Sequence, residues 1–258
     1  MPAKRTTSTT KRSQAAPKKA NNRKFVIGIF AVVSLLFVGF FFYWISGGSM
    51  STEQQKMETY LKDKYGQEFV VKNVRVTGSG LGVTGSIRGD AYPKNDPSLK
   101  FELRKPEDKN FYDYDSFLTE LWSRQGREQV DKFIKRELPN VKTYTLRIAP
   151  GTELLNSIQG RTPSFSQIQN EQPGQFGYEL GVVSLTSHAT ASPSDSELER
   201  AFKVASFVKE QSTAAGIIAR YTYNIDGGGY ARFEAENRSA LDAINSPDDL
   251  KDKFKKLN

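Results

Sequence analysis

The chain has no cysteine and a single histidine among 258 residues, with three methionines and two tryptophans. Without a thiol there is no disulfide frame, no Cys-ligated zinc or iron–sulfur cluster and no thiolate nucleophile. One histidine, His188, leaves no multi-histidine metal site, and any Ser-His-Asp arrangement has to run through it. No segment approaches the spaced acids of an EF-hand loop. No Gly-x-Ser-x-Gly elbow accompanies Ser184, Ser187, Ser192 or Ser194. No cofactor or metal is therefore expected. His188, in SLTSHATASPSDSE, reads as a solvated loop residue, with an acid–base or pH-sensing role as the alternative.

What is present begins with charge. The net charge of +8 is concentrated at one end. Residues 1 to 24 hold Lys4, Arg5, Lys11, Arg12, Lys18, Lys19, Arg23 and Lys24 and no acid, leaving 29 basic against 29 acidic residues elsewhere. The rest of the chain is thus neutral overall and offers no general attraction for nucleic acid. From Phe25 to Ile45 runs FVIGIFAVVSLLFVGFFFYWI, 21 residues without a charge. As a helix it would span about 31 Å, matching a bilayer core of about 30 Å. Tyr43 and Trp44 sit at its far end, where aromatic side chains favour the headgroup boundary.

Phe25 to Ile45 is therefore expected to be an uncleaved signal anchor in the lipid bilayer. Lys18, Lys19, Arg23 and Lys24 hold the N-terminus in the cytoplasm by the positive-inside rule. The expected organisation is a disordered basic tail over 1–24, a transmembrane helix over 25–45, and two extracytoplasmic α+β units over 46–139 and 140–258. The tail's Thr, Ser, Ala, Pro and Lys bury nothing. Attraction of Lys18, Lys19, Arg23 and Lys24 to anionic lipid headgroups and, after it, nonspecific phosphate binding to nucleic acid are the lesser readings beside the topogenic one.

Met57, Tyr60, Leu61 and Tyr65 recur at helical spacing behind a Ser51 or Thr52 cap, and Gly66 stops that helix. Phe69 to Val76 reads as a strand whose alternation shifts phase, which suggests a bulge. Leu99, Phe101 and Leu103 alternate with charged residues as a half-buried strand. Asp115 or Ser116 opens a long helix closed by Pro139, with Gly126 either splitting it or permitting a close backbone approach. Tyr144, Leu146 and Ile148 make a strand, and 152–177 reads as loop with one short helix near Phe165 to Gln169.

Tyr178 to Leu185 returns to strand, and the Ser194/Glu197 capping box starts a helix. Ile217 to Ile225 and Tyr230 to Ala235 form a hairpin across Gly227-Gly228-Gly229. Short helices are expected at Arg238 to Ile244 and Pro247 to Leu257. Without a regular βα repeat, the fold class is α+β with mainly antiparallel sheet and packed helices.

YLKDKYGQEFVVKNV (Tyr60 to Val74), GDAYPKNDPSLKFEL (Gly89 to Leu103) and LWSRQ (Leu121 to Gln125) together resemble the ectodomains of uncharacterised single-pass membrane proteins and lipoproteins of Gram-positive-type bacteria. The resemblance covers about residues 52 to 138, with a helical anchor here instead of a lipidated cysteine. It implies a surface-exposed envelope module and assigns no functional residue.

Three motifs compete for a sharper meaning. Gly80 to Gly85 satisfies Gly-x-Gly-x-x-Gly, but strand and turn residues follow, so a hairpin loop is expected rather than a dinucleotide site. Arg88-Gly89-Asp90 matches an integrin-type tripeptide but reads as a chance occurrence at a strand-to-turn junction, and Asn237-Arg238-Ser239 matches a glycosylation sequon but reads as a helix start capped by Asn237. Asp113, Asp115 and Glu120, near Tyr112, Tyr114 and Trp122, are the candidate acids for a carboxylate-dependent cell-wall glycan hydrolase. The leading expectation is a non-enzymatic, membrane-anchored binding or interaction module of the bacterial envelope with a protein partner. The hydrolase is the alternative, and the oligomeric state is left open.

Overall fold

The structure, a computed structural model, describes residues 51–80, 82–158, 160–211 and 214–257. The anchor residues Phe25, Tyr43, Trp44 and Ile45 and the basic residues Lys18, Lys19, Arg23 and Lys24 lie outside these. Among the described residues, no helix is long and apolar enough to cross a membrane. Met50–Asn258 forms one compact unit, built as a mixed α+β fold with two sheets.

The first sheet is antiparallel throughout, in the order β1 (Phe69–Thr77), β2 (Ser86–Pro93), β3 (Phe101–Pro106) and β4 (Tyr114–Asp115). Helix α1 (51–65) buries Met57, Leu61 and Tyr65. It is already formed at residue 51, so Thr52 sits inside the helix rather than capping it. Tyr65, Phe69, Phe101 and Phe117 pack as a ring cluster with centroids 4.6 to 5.9 Å apart. The phase shift in β1 is a register break between Lys72 and Arg75, where Asn73 takes φ 52°. Asparagine tolerates that conformation better than most residues.

Arg88-Gly89-Asp90 lies in the middle of β2 rather than at a loop tip. Arg88 bonds Glu102 and Asp90 accepts from Arg75, while Gly89 points inward. A Cβ there would stand 2.8 Å from Met57 Sδ and 2.9 Å from Val71 Cγ1. The glycine serves the contact between α1 and the sheet, and the tripeptide is not displayed for recognition. The Gly-rich segment links β1 to β2 through a Gly80–Val83 bridge, with positive φ at Gly78 and Gly82 and no helix after it.

The second sheet has the order β5 (Val141–Pro150), β6 (Phe176–His188), β7 (Gly216–Ile225), β8 (Tyr230–Ala235) and β9 (Lys255–Leu257). Its pairs are antiparallel except β6 with β7, which are parallel and joined through α5 (Asp195–Glu210). Parallel neighbours need such a crossover. The Pro247 to Leu257 helix expected from the sequence is instead a single 3₁₀ turn, Pro247–Leu250, followed by β9. The edge of β8 supplies hydrogen-bond partners that outweigh the weak helical preference of so short a segment. The 152–177 loop holds two helices, α3 (Thr152–Ser157) and α4 (Phe165–Glu171). Helix α6 (Arg238–Asp242) is capped by Asn237, whose side chain accepts from Ala240 N at 2.9 Å.

Helix α2 (Phe117–Glu137) runs unbroken through Gly126 and packs on β5. Ser123 Oγ accepts a buried hydrogen bond from Ile148 N at 2.9 Å. A Cβ on Gly126 would lie 2.6 Å from Ile148 Cδ1 and 3.1 Å from Leu146 Cδ2. Those atoms end flexible side chains, and alanine gains about 1 kcal/mol of helix propensity over glycine. Gly126→Ala is therefore expected to change stability by less than about 1 kcal/mol, and Gly126→Leu to cost about 2–3 kcal/mol by overpacking. Urea unfolding of the two variants checks this, and equal costs would contradict it.

The two sheets share one continuous apolar core. They are also joined by a helix end. Gly160 N donates to Lys64 O at 2.9 Å and Thr162 Oγ1 to Tyr65 O at 3.0 Å, so the segment after α3 satisfies the last carbonyls of α1.

Candidate functional site

Along one face of α1, the 110–112 segment and, nearer the helix end, α3 flank an open groove. One depression, of about 740 Å³, is lined by Gln55, Thr59, Asn110 and Phe111, and an adjoining one, of about 660 Å³, by Lys64, Thr152, Leu155 and Asn156. The two share Tyr60, Asp63 and Tyr112. Tyr60 and Tyr112 stack at 4.1 Å between ring centroids, and Phe111 stands 59% exposed at the rim.

Beneath the stack lies a polar knot. Asp115, its side chain 5% exposed, accepts from Lys64 Nζ at 3.1 Å and from Tyr65 Oη at 2.7 Å. Its second oxygen accepts from Phe117 N at 3.0 Å at the start of α2. Lys64 Nζ also donates to Tyr60 Oη at 3.0 Å. Burial alone would lower the Lys64 pKa, but the Asp115 charge and the Tyr60 hydroxyl reverse this and raise it. Burial raises Tyr60, and it pushes Tyr112 up to about 12 with help from the Glu53 charge. Both phenols stay neutral at physiological pH.

The structure separates the three candidate acids. Asp115 serves the knot and the α2 start, Asp113 takes two bonds of 3.2 Å from Arg104, and Glu120 is exposed on α2. Arg104 also lies over the Tyr114 ring. Trp122 is fully buried and its Nε1 donates to Pro163 O at 2.9 Å, so its indole cannot stack a ligand. Of the aromatic setting read from the sequence, Tyr112 lines the groove and Trp122 belongs to the core. Sequence reasoning missed Tyr60, Phe111 and Asn156 as groove residues. Leu154, Leu155 and Ile158 carry one turn of helical spacing that could have revealed α3.

A second polar cluster lies at the carboxyl ends of the parallel pair. The β6–β7 register shifts between Val183 and Ser187, an irregularity that brings Thr186 to α5. Glu197, in the first turn of α5, is 0% exposed. Its carboxylate accepts from Thr186 Oγ1, from Arg200 Nη1 at 2.6 Å and from the Tyr221 hydroxyl, and it bonds His188 Nε2 at 3.1 Å. His188 is therefore not a solvated loop residue. It ends β6, with its ring edge-on to Tyr223 at 5.1 Å. Burial by itself would raise the Glu197 pKa, but the bonds from Thr186, Tyr221 and His188 and the Arg200 charge hold it below the usual glutamate value. Among the described residues, no group of three or more His, Cys, Asp or Glu is placed to hold a metal ion.

The chain is a mixed α+β protein whose helices pack on largely antiparallel sheets. No family model matches it, and no curated protein does. A similar solved structure is that of a DUF5037 family protein from Ruminococcus gnavus ATCC 29149, 17% identical, covering 79% of this chain and 89% of that one with a TM-score of 0.35.

Proposed function

We propose that the chain is a membrane-anchored, extracytoplasmic binding module of the bacterial cell envelope, held by residues 25–45 with its N-terminus in the cytoplasm. The anchor reading rests on the 21-residue uncharged run and the eight basic residues before it. The binding reading rests on one observation, the open groove in which Phe111 stands exposed beside the Tyr60–Tyr112 stack. Aromatic side chains gathered in a concave surface favour recognition. Lys64 and Asp115 neutralise each other at 3.1 Å, which favours a surface that holds a ligand over one that transforms it.

The absence of native cysteine makes the topology directly measurable. Val83→Cys, at a position 62% exposed, is expected to react with a membrane-impermeant maleimide in intact cells. Thr7→Cys in the tail is expected to react only after permeabilisation. The reverse pattern overturns the orientation, and labelling of a freely soluble protein overturns the anchor. For binding, the full-length protein extracted in detergent is expected to retain an envelope component that the Phe111→Ala/Tyr112→Ala variant loses. Equal retention removes the groove from the reading.

A further inference from the structure

We infer that the ligand of the Tyr60–Tyr112 groove is a neutral oligosaccharide. The inference rests on the reading of the groove as a binding surface and names the chemistry it selects. Each depression, about 740 and 660 Å³, is of a size that takes a small ligand, and the two adjoin through Tyr60, Asp63 and Tyr112. A pyranose presents C–H groups on its faces and hydroxyls around its edge. The groove offers the complement of both.

For the faces there are Tyr60, Tyr112 and the exposed ring of Phe111. For the edges there are the exposed side chains of Gln55, Thr59, Asn110, Thr152 and Asn156. Amides and hydroxyls of this kind both donate and accept, as sugar hydroxyls do. Among the described residues, the cations of the groove are answered within the protein, whereas Asp63, exposed and shared by both depressions, has no ion pair. Lys64 pairs with Asp115 at 3.1 Å and Lys56 with Glu53 at 2.8 Å. An anionic ligand would lose its hydration and face the Asp63 carboxylate, whereas a sugar hydroxyl can donate a hydrogen bond to it. The raised pKa values of Tyr60 and Tyr112 keep both as neutral hydroxyls.

The test is titration calorimetry of the full-length protein in detergent micelles with tetra-N-acetylchitotetraose and maltotetraose as neutral probes and hexaglutamate as the charged one. Binding of a neutral tetrasaccharide, absent for hexaglutamate, is the expected result. Tyr112→Ala should weaken it about ten-fold or more, from the loss of one stacking ring and its buried area. Because Tyr112 is half-buried, Phe111→Ala and Asn156→Ala, both at exposed positions, are measured beside it and should each weaken binding while leaving the melting curve in place. Lys255→Ala on β9 should bind as the parent does.

Saccharide binding unchanged in all three groove variants overturns the assignment. So does the failure of both sugars to bind while an envelope protein is still lost from the Phe111→Ala/Tyr112→Ala variant. In that last case the groove remains a binding surface, for a protein. If neither sugar nor envelope component is retained, the inference and the reading beneath it fall together.

Discussion

Glu197→Ala is expected to lower the stability of the folded unit by about 3 kcal/mol, the lower end of the range for removing one partner of a buried ionic network. Glu197 carries no exposed surface, and four side chains converge on it. Without the carboxylate, Arg200 loses its partner and the hydroxyls of Thr186 and Tyr221 lose their acceptor. Arg200 keeps 21% side-chain exposure, so water can recover part of its loss, which is why the lower end applies. For a unit of this size the melting midpoint should fall by about 6–12 °C. Glu197→Gln keeps the shape and some of the bonds, and it should cost less than alanine. A fall of under about 1 kcal/mol for Glu197→Ala would show that the network does not hold α5 to the sheet.

The same carboxylate sets a pH dependence. Its folded pKa lies below the ordinary glutamate value of 4.5, so its contribution is fully present above that pH and is lost as pH falls through the folded value. The Glu197 contribution to the stability difference between parent and Glu197→Gln should therefore shrink on acidification below 4.5. A difference that grew in acid would reverse the assigned sign.

Gly66→Ala is expected to cost about 3 kcal/mol, from two sources that a second variant separates. Gly66 has φ +68°, where a residue with a Cβ pays about 1–2 kcal/mol. Its Cβ would also stand 2.4 Å from Gly160 O, a backbone atom that cannot rotate aside. Relieving that clash moves the 160–162 segment and loosens the bonds from Gly160 N to Lys64 O and from Thr162 Oγ1 to Tyr65 O. Gly160→Ala, with φ +74° but open space around it, should carry only the conformational cost. Equal losses in the two variants would remove the clash from the account. The same joint sets α3 against α1, so Gly66→Ala should also weaken any ligand of the groove.

Local patterns made much of the fold legible. The apolar spacing of α2 and α5, the alternation of β6 and the glycine turn between β7 and β8 each lie within one segment. Gly126 shows where such reading stops. Its two possible meanings differ only in what faces the helix, and Ile148 of β5 decides between them. The Ser194/Glu197 pair illustrates the same limit. Ser194 caps α5 as its pattern indicates, accepting from Glu197 N at 3.4 Å, while the Glu197 side chain turns into the core. A capping sequence is the same whether its glutamate meets water or a tyrosine.

The sequence by itself determined the charge asymmetry, the uncharged run from Phe25 to Ile45, the absence of thiol chemistry and the α+β class, because these depend on composition and short-range periodicity. The tertiary structure decided the parallel pairing of β6 with β7, the conversion of the final segment into β9, the burial of Trp122, the inward turn of Gly89 and the meeting of Tyr60 with Tyr112 across 52 residues of chain. Each depends on which distant surface a segment meets. A local pattern shows that a side chain will be buried or a strand paired, and leaves the partner to be settled by the packing of the whole core.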